Sequence, residues 1–358
     1  MRKVLLISEY SGGHFFPAYT LACYLSKKTS VYLFVPSLFL KNMFFTEEFK
    51  IIGKQKEKRE KGELFYRFLE ALRIILKIKP DAVIGFGGRV SFPFILLSSL
   101  FGLRTAIYEP NTRWGKANYI LRILAKRIYT GFDTISLPKA KRVGIPLRTS
   151  LKKYNPEEAK KSLGIDPSLI CVLCLGGSQG SSFLNQLFKR LIEERKQKFG
   201  IIHLTGLKDF YFFQNFYGKI IKKDFFVKDF FKDMGLVYSA TDIAITRAGA
   251  LTIAELAYFR IPAIFIPYPK AGKHQLRNAQ YLVEKKAGFL VKQDKYTFYQ
   301  VKKIFYQLLT DENLRRKISD NLARIKIYEK GDIFSDNIFK DFNINLAETS
   351  KRYGNAFI

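Results

Sequence analysis

"LGGSQGSSFLNQ", residues 175–186, follows the apolar run "SLICVLC" and leads into an amphipathic stretch at 181–195. An apolar run, a glycine turn and a helical pattern, in that order, make a strand–turn–helix unit. Glycine lets the backbone turn tightly and lets a ligand come close to it. The helix behind offers free N–H groups and the positive end of its dipole. The same order recurs in "SEYSGGHFFPA" after the opening run "KVLLIS", and in "GFGGRVSFP", residues 85–93, at the end of "DAVIGF". Further strand-like runs, "SVYLFV", "TAIYE", "GIIHLTG", "DIAIT" and "PAIFIPY", alternate with helical patterns at 16–27, 64–79 and 274–285. That alternation predicts an α/β chain whose parallel sheets are covered by helices on both faces.

Ligands of open α/β sheets bind outside the carboxyl ends of the strands. Three glycine turns split between two similar halves therefore point to a cleft between two doubly wound domains. The alternation pauses in a polar, proline-containing passage at 140–164, which places the domain junction at Leu147. The expected domains are 1–147 and 148–334. None of the turns reads G-x-x-x-x-G-K-[ST] or G-x-G-x-x-G, so a Walker loop and a dinucleotide fingerprint both lose support.

The chain of 358 residues is long enough for two ordinary cores, and its 47% hydrophobic content excludes a disordered polymer. Lys and Arg number 61 against 31 acids, a formal charge of +30. Such a charge favours polyanionic partners: nucleic acid, an anionic membrane face or phosphorylated substrates. A general lysine bias is the plainer explanation. The three cysteines form no disulfide framework. Cys171 and Cys174 read C-x-x-C, but on a strand positions i and i+3 point to opposite faces, which disfavours a redox or metal pair. The apolar core of "MRKVLLISEY" is too short for a signal peptide, and "FPFILLSSLFGL" falls short of the ~20 residues of a membrane span.

"ITRAGALTIAEL", residues 245–256, has two readings. A helix expected to start near Thr252 would make Thr252 and Glu255 a T-x-x-E capping box. Alternatively, the bare turn presents N–H groups to a diphosphate and Glu255 accepts hydrogen bonds from a ribose diol.

Taken together, "SGGHFFPA", "GFGGRVSFP", "YEPN", "VGIPLR", "GGSQG", "HLTG", "GALTIAE" and "HQLRNAQYL" resemble, in order and spacing, the bacterial undecaprenyldiphospho-muramoylpentapeptide β-N-acetylglucosaminyltransferases. The resemblance runs from about residue 3 to 325. It implies two Rossmann-like doubly wound domains facing across a cleft, the GT-B arrangement, and an inverting transfer of N-acetylglucosamine from UDP-N-acetylglucosamine to the C4 hydroxyl of the N-acetylmuramoyl unit of a polyprenyl-diphosphate lipid. On the donor side it implies that Ser178 meets the diphosphate and Arg148 supplies positive charge near the nucleotide. Backbone groups at Phe231 would hold uracil. The helix start at Ala250, Leu251 and Thr252, continued by Ile253 and Ala254, would face the phosphates. Glu255 would take the ribose, and Gln275 and Asn278 the sugar hydroxyls. On the acceptor side, Ser11, Gly12 and Gly13 would flank the acceptor diphosphate. His14 and Asn111 would sit near the reacting sugars, with His14 the candidate base. No metal and no cofactor are implied.

The resemblance also implies a peripheral position at the cytoplasmic face of the inner membrane. "ELFYRFLEALRIILKIKP" supplies a stripe of Leu64, Phe65, Phe68, Leu69 and Leu72 beside Arg67, Arg73 and Lys77, with Phe101 and Leu103 as an extension. An apolar patch rimmed by cations suits an anionic membrane surface; the plainer reading packs the stripe on the sheet. The tail, 335–358, is expected to cross back onto the first domain. Tyr10, Arg89, Pro110 and Ile145 depart from the family pattern, all on the acceptor side. Rival readings are another UDP-sugar enzyme of the same fold, either a diacylglycerol glycosyltransferase or a UDP-N-acetylglucosamine 2-epimerase, a catalytically inactive relative, and a basic nucleic-acid-binding protein. The last lacks any nucleic-acid-binding signature, and no nucleic-acid partner is expected.

Overall fold

A computed structural model describes residues 2–9, 12–36, 48–53, 63–220, 223–271 and 273–344. The chain divides into two compact units. The first runs to Thr149 and takes the chain back from Glu329, and the second spans Ser150–Tyr328.

The first unit holds a parallel sheet of β1 (Lys3–Ile7), β2 (Ser30–Phe34), β3 (Lys50–Ile52), β4 (Ala82–Gly85), β5 (Arg104–Glu109), β6 (Arg127–Thr130) and β7 (Ala140–Arg142), in the order β3-β2-β1-β4-β5-β6-β7. A further short strand, β8 (Ile145–Pro146), follows. Val4 to Ile7 and Ala82 to Gly85 are buried without a break, as expected of strands covered on both faces. The strand order reverses between β1 and β4, which are followed by the first two glycine turns. Helix Gly88–Leu100 packs between helices Glu63–Ile78 and Lys116–Leu124 on one side of the sheet.

The returning chain ends its described part in helix Asp332–Asp341. Its Phe334 ring sits 5.0 Å from those of Tyr108 and Tyr129, and Tyr129 donates to Asp341 Oδ2 at 3.0 Å. Residues 345–358 of the tail lie outside the described residues. The return begins at Glu329, whose carbonyl accepts from Leu147 N–H at 2.9 Å. Its Oε2 accepts from Gly331 N–H at 2.6 Å, while Oε1 is buried with no partner among the described residues. Burial pushes this carboxyl up to about 7. The folded state therefore holds the proton more tightly than the unfolded chain, and stability is lost as pH rises from ~4.5 through ~7. Glu329→Gln is expected to remove that slope and raise the thermal midpoint by a few degrees at about pH 8, with no gain at about pH 5. Parallel melting curves for both proteins across that range check this.

The second unit holds β9 (Cys171–Leu175), β10 (Gly200–Leu204), β11 (Phe225–Lys228), β12 (Ile243–Thr246), β13 (Ala263–Phe265) and β14 (Phe289–Leu290). They are parallel, in the order β11-β10-β9-β12-β13-β14. Here the order reverses between β9 and β12, the strands that lead into "GGSQG" and "RAGA". Cys171 and Cys174 lie buried on β9, and burial pushes both thiols well above the ordinary range. Both units have the doubly wound α/β architecture predicted from the sequence.

Candidate functional site

In the second unit, the turn after β9 meets the turn after β10. Gly177, Gly180 and Gly206 take φ of 89°, 73° and 78°. A Cβ on Gly206 would come 2.6 Å from Gly180 Cα, so neither turn has room for a side chain where they touch. Ser178 stands exposed at the tip. Behind the turns Thr246 Oγ1 donates to Leu175 O at 2.8 Å. Arg247, which sequence reasoning passed over, is buried there. It donates to Ile266 O at 2.9 Å, Gln293 Oε1 at 2.8 Å and Ser181 Oγ at 2.9 Å. Burial lowers its pKa to about 10, so it stays charged at neutral pH. These acceptors are a carbonyl, an amide and a hydroxyl, and none of them neutralises the guanidinium. The result is a positive field beneath two backbone turns, suited to an anion.

Helix Ala250–Phe259 starts two residues before the expected position, and its N-cap is Gly249, with no side-chain cap. Thr252 is therefore the third helical residue, and the T-x-x-E capping box does not form. The reason is Gly249's extended backbone (φ −68°, ψ 141°), which lets the helix begin directly after the turn. The first-turn N–H groups of Ala250, Leu251 and Thr252 form the uncapped helix end. Ile253 and Ala254 are buried, and Ile253 N–H already bonds Gly249 O at 3.0 Å, so these two support the turn and do not line a ligand surface.

Glu255 is 1% exposed and accepts from the Tyr238 hydroxyl at 2.7 Å. Asn278 is fully buried and donates to Ala248 O at 3.2 Å. It props the turn from beneath, which corrects the expectation that it meets sugar hydroxyls. Gln275 is half-buried, and its Oε1 accepts from Tyr268 N–H at 2.9 Å. Phe231 is half-buried, edge-on to Phe226 at 5.1 Å, in the segment that follows β11. Ser178, Phe231, Ala250 to Thr252 and Gln275 thus share the carboxyl edge of one sheet, with Glu255 one turn further into its helix.

In the first unit, Gly12 and Gly13 begin helix Gly12–Ser26, with Gly13 exposed. Ser11 and Tyr10 lie outside the described residues. His14 Nδ1 bonds the Phe86 carbonyl. A carbonyl only accepts, so Nδ1 donates to it, and in the neutral ring the lone pair lies on Nε2. The ring packs on Gly87, where a Cβ would lie 3.0 Å from His14 Cε1. Glu109, at the end of β5, is buried and draws together the next loop. Its carboxylate accepts from Asn111 N–H at 3.2 Å and Nδ2 at 2.9 Å, from Gly115 N–H at 2.8 Å and from Asn118 Nδ2 at 3.0 Å. Glu109 and Asn118 were missed as site residues. The available signal was an acid closing a buried strand just before Asn and Gly. Arg148 belongs to this first unit, not to the donor domain expected to hold it, and its guanidinium lies 4.4 Å from the Phe16 ring centroid.

The expected membrane stripe divides. Leu64, Phe65, Leu69 and Phe101 are exposed. Phe68, Leu72 and Leu103 are half-buried, Phe68 against the edge of Phe92 and Leu103 on the core, because a helix lying on a sheet turns about half its stripe inward. Helix Lys116–Leu124 adds exposed Tyr119, Ile120 and Ile123, with Arg122 stacked 3.9 Å from the Tyr119 centroid. No helix among the described residues is long and apolar enough to cross a membrane.

Two doubly wound units, each with its strand order reversing beside glycine-rich loops, make a two-domain α/β fold of the kind that binds ligands at the carboxyl edges of its sheets. The chain belongs to glycosyltransferase family 28: the family's N-terminal domain matches residues 7–130 and its C-terminal domain 171–330. The UDP-N-acetylglucosamine--N-acetylmuramyl-(pentapeptide) pyrophosphoryl-undecaprenol N-acetylglucosamine transferase of Aquifex aeolicus is 38% identical over 299 residues, covering 79% of this chain and 85% of that protein. The relative of the same name from Francisella tularensis is 30% identical over 370 residues, covering 96% and 98%. In fold, the chain is similar to Acinetobacter baumannii MurG (TM-score 0.74, 24% identity, covering 95% of this chain and all of that one). It is also similar to a Neisseria meningitidis UDP-GlcNAc 2-epimerase (TM-score 0.71, 14% identity, covering 96% and 100%).

Proposed function

We propose that the chain transfers N-acetylglucosamine from UDP-N-acetylglucosamine to the N-acetylmuramoyl C4 hydroxyl of a polyprenyl-diphosphate lipid, with inversion. The observation that carries this reading is the pair of glycine-walled turns in the second unit over the buried Arg247 guanidinium, which no acid among the described residues neutralises. In this reading the turn at Gly177–Gly180 and the N–H groups of Ala250 to Thr252 take the pyrophosphate, and the Arg247 charge supports it as it leaves. Glu255 accepts from the ribose diol. Gln275 orients the sugar. The acceptor oxygen attacks the anomeric carbon as the bond to UDP breaks, and His14 Nε2 takes the hydroxyl proton. Glu109 holds Asn111 at the acceptor.

The test is labelled UDP-N-acetylglucosamine offered with the muramoyl-pentapeptide lipid, with diacylglycerol, or with no acceptor. Label entering the muramoyl lipid alone is the expected result. Transfer to diacylglycerol, or acceptor-free epimerisation of the donor, would replace this reading with one of its rivals.

The exposed apolar residues of Glu63–Ile78 and Lys116–Leu124, beside Arg67, Arg73 and Lys77, support peripheral binding of the first unit to an anionic membrane surface. Phe65→Asp with Leu69→Asp is expected to cut co-sedimentation with phosphatidylglycerol vesicles roughly tenfold while activity on a soluble acceptor persists. Both positions are exposed, which makes the pair a cleaner probe than one including Phe68.

A further inference from the structure

The second unit has an apolar face of its own that the transfer reaction leaves unused. Leu207, Tyr211 and Phe212 are 73%, 72% and 53% exposed. They come from the turn after β10 and from helix Phe210–Ile220, whose opposite side is anchored by buried Phe213 and Tyr217. Phe212 and Lys219 are seven residues apart on that helix and so lie on one side of it, with Tyr211 beside Phe212 and turned away from Phe213 and Tyr217. Large side chains so open to solvent, and next to one another, mark an interaction surface.

Charge identifies what the face would meet. Lys208 and Lys219 are exposed on the same segment. The only acid from Gly206 to Lys223 is Asp209, and Asn185 Nδ2 donates to its carboxylate at 2.8 Å, on the inner side of the helix. Two other helices of this unit mix their signs: Pro156–Ser162 carries Glu157 and Glu158 with its lysines, and Glu312–Arg324 carries Glu312 and Asp320 with its cations. A second copy of the chain docked face to face would set these lysines against their own counterparts. An anionic bilayer instead offers apolar depth for the rings and negative headgroups for the ammonium groups.

We propose that the face formed by Leu207, Tyr211 and Phe212 with Lys208 and Lys219 is a second contact with an anionic lipid surface, made by the donor-binding unit itself. The proposal rests on the membrane reading of the first unit and extends it. Losing the aromatic side chains of this face should weaken binding to that surface.

The experiment uses the full chain with phosphatidylcholine vesicles, with and without phosphatidylglycerol. Three proteins are compared: the parent, Tyr211→Glu with Phe212→Glu, and Phe65→Asp with Leu69→Asp. All four positions are exposed, and unchanged melting midpoints confirm folding. The expected result is a roughly tenfold loss of binding to the anionic vesicles for each pair, with little binding of any protein to phosphatidylcholine alone. Lys208→Gln with Lys219→Gln should give a smaller loss that disappears at high salt. If the Tyr211/Phe212 pair binds within twofold of the parent while the Phe65/Leu69 pair does not, the second contact is overturned and the first stands. If neither pair matters, the membrane reading itself fails. A parent dimer in sedimentation velocity that the Tyr211/Phe212 pair converts to monomer, without change in vesicle binding, would assign the face to a second copy and overturn the proposal.

Discussion

His14→Ala is expected to lower kcat by roughly 10²–10⁴-fold, the ordinary loss for removing a general base, with the KM for UDP-N-acetylglucosamine nearly unchanged. The expectation follows from the proton assignment. Phe86 O accepts from Nδ1–H, which fixes the tautomer, and the contact with Gly87 limits how far the ring can turn. An imidazole held this way presents Nε2 as a base without further rearrangement. His14→Gln keeps a side chain able to donate to Phe86 but has no basic nitrogen, so it should be nearly as slow as the alanine variant. If His14 instead only steadies the start of its helix or binds a phosphate, glutamine would restore most of the rate. Single-turnover rates for both variants at saturating donor and acceptor decide between the two.

Glu255→Ala should reduce kcat/KM for the donor by about 5- to 150-fold, equivalent to the ~1–3 kcal/mol of a lost buried or charged hydrogen bond. UDP should lose affinity as an inhibitor by a similar factor, because the ribose belongs to UDP and not to the transferred sugar. Tyr238→Phe leaves the carboxylate in place and removes only the phenol at 2.7 Å, so its effect on the donor should be smaller, within about tenfold. The competing account is that Glu255 and Tyr238 form a purely structural buried pair. That account predicts lowered melting midpoints in both variants with an unchanged UDP inhibition constant, and measuring the two together separates them.

Much of this fold was legible in the sequence because its strands are covered on both faces. Runs such as "KVLLI" and "CVLCL" are apolar without alternation, and glycine marks where they stop, so β1, β4, β9 and β12 and their turns could be placed. The short strands β3, β7 and β14 carry too few residues to show a period. Local rules failed at Gly249: a T-x-x-E pattern signals a cap only where the backbone enters the helix at Thr252, and the turn let it enter earlier. They failed at Asn278 for a different reason. Helical spacing shows that Gln275 and Asn278 are three apart, but not that the second of them lies fully under the 247–249 turn. Arg247 escaped notice because it is defined by partners distant in sequence, Gln293 and Ser181, whereas Glu109 draws together only the loop that follows it. For the apolar stripe of Glu63–Ile78, composition shows which residues are apolar but not which of them the sheet covers.

The most direct measurement is amide hydrogen exchange of the full chain with and without saturating UDP-N-acetylglucosamine. The account predicts slowed exchange in the backbone of 177–181 and 249–252, where the two turns meet the pyrophosphate, and in the segment around Phe231. Unchanged exchange in both turns at saturating donor, or protection confined to other parts of the chain, would contradict it.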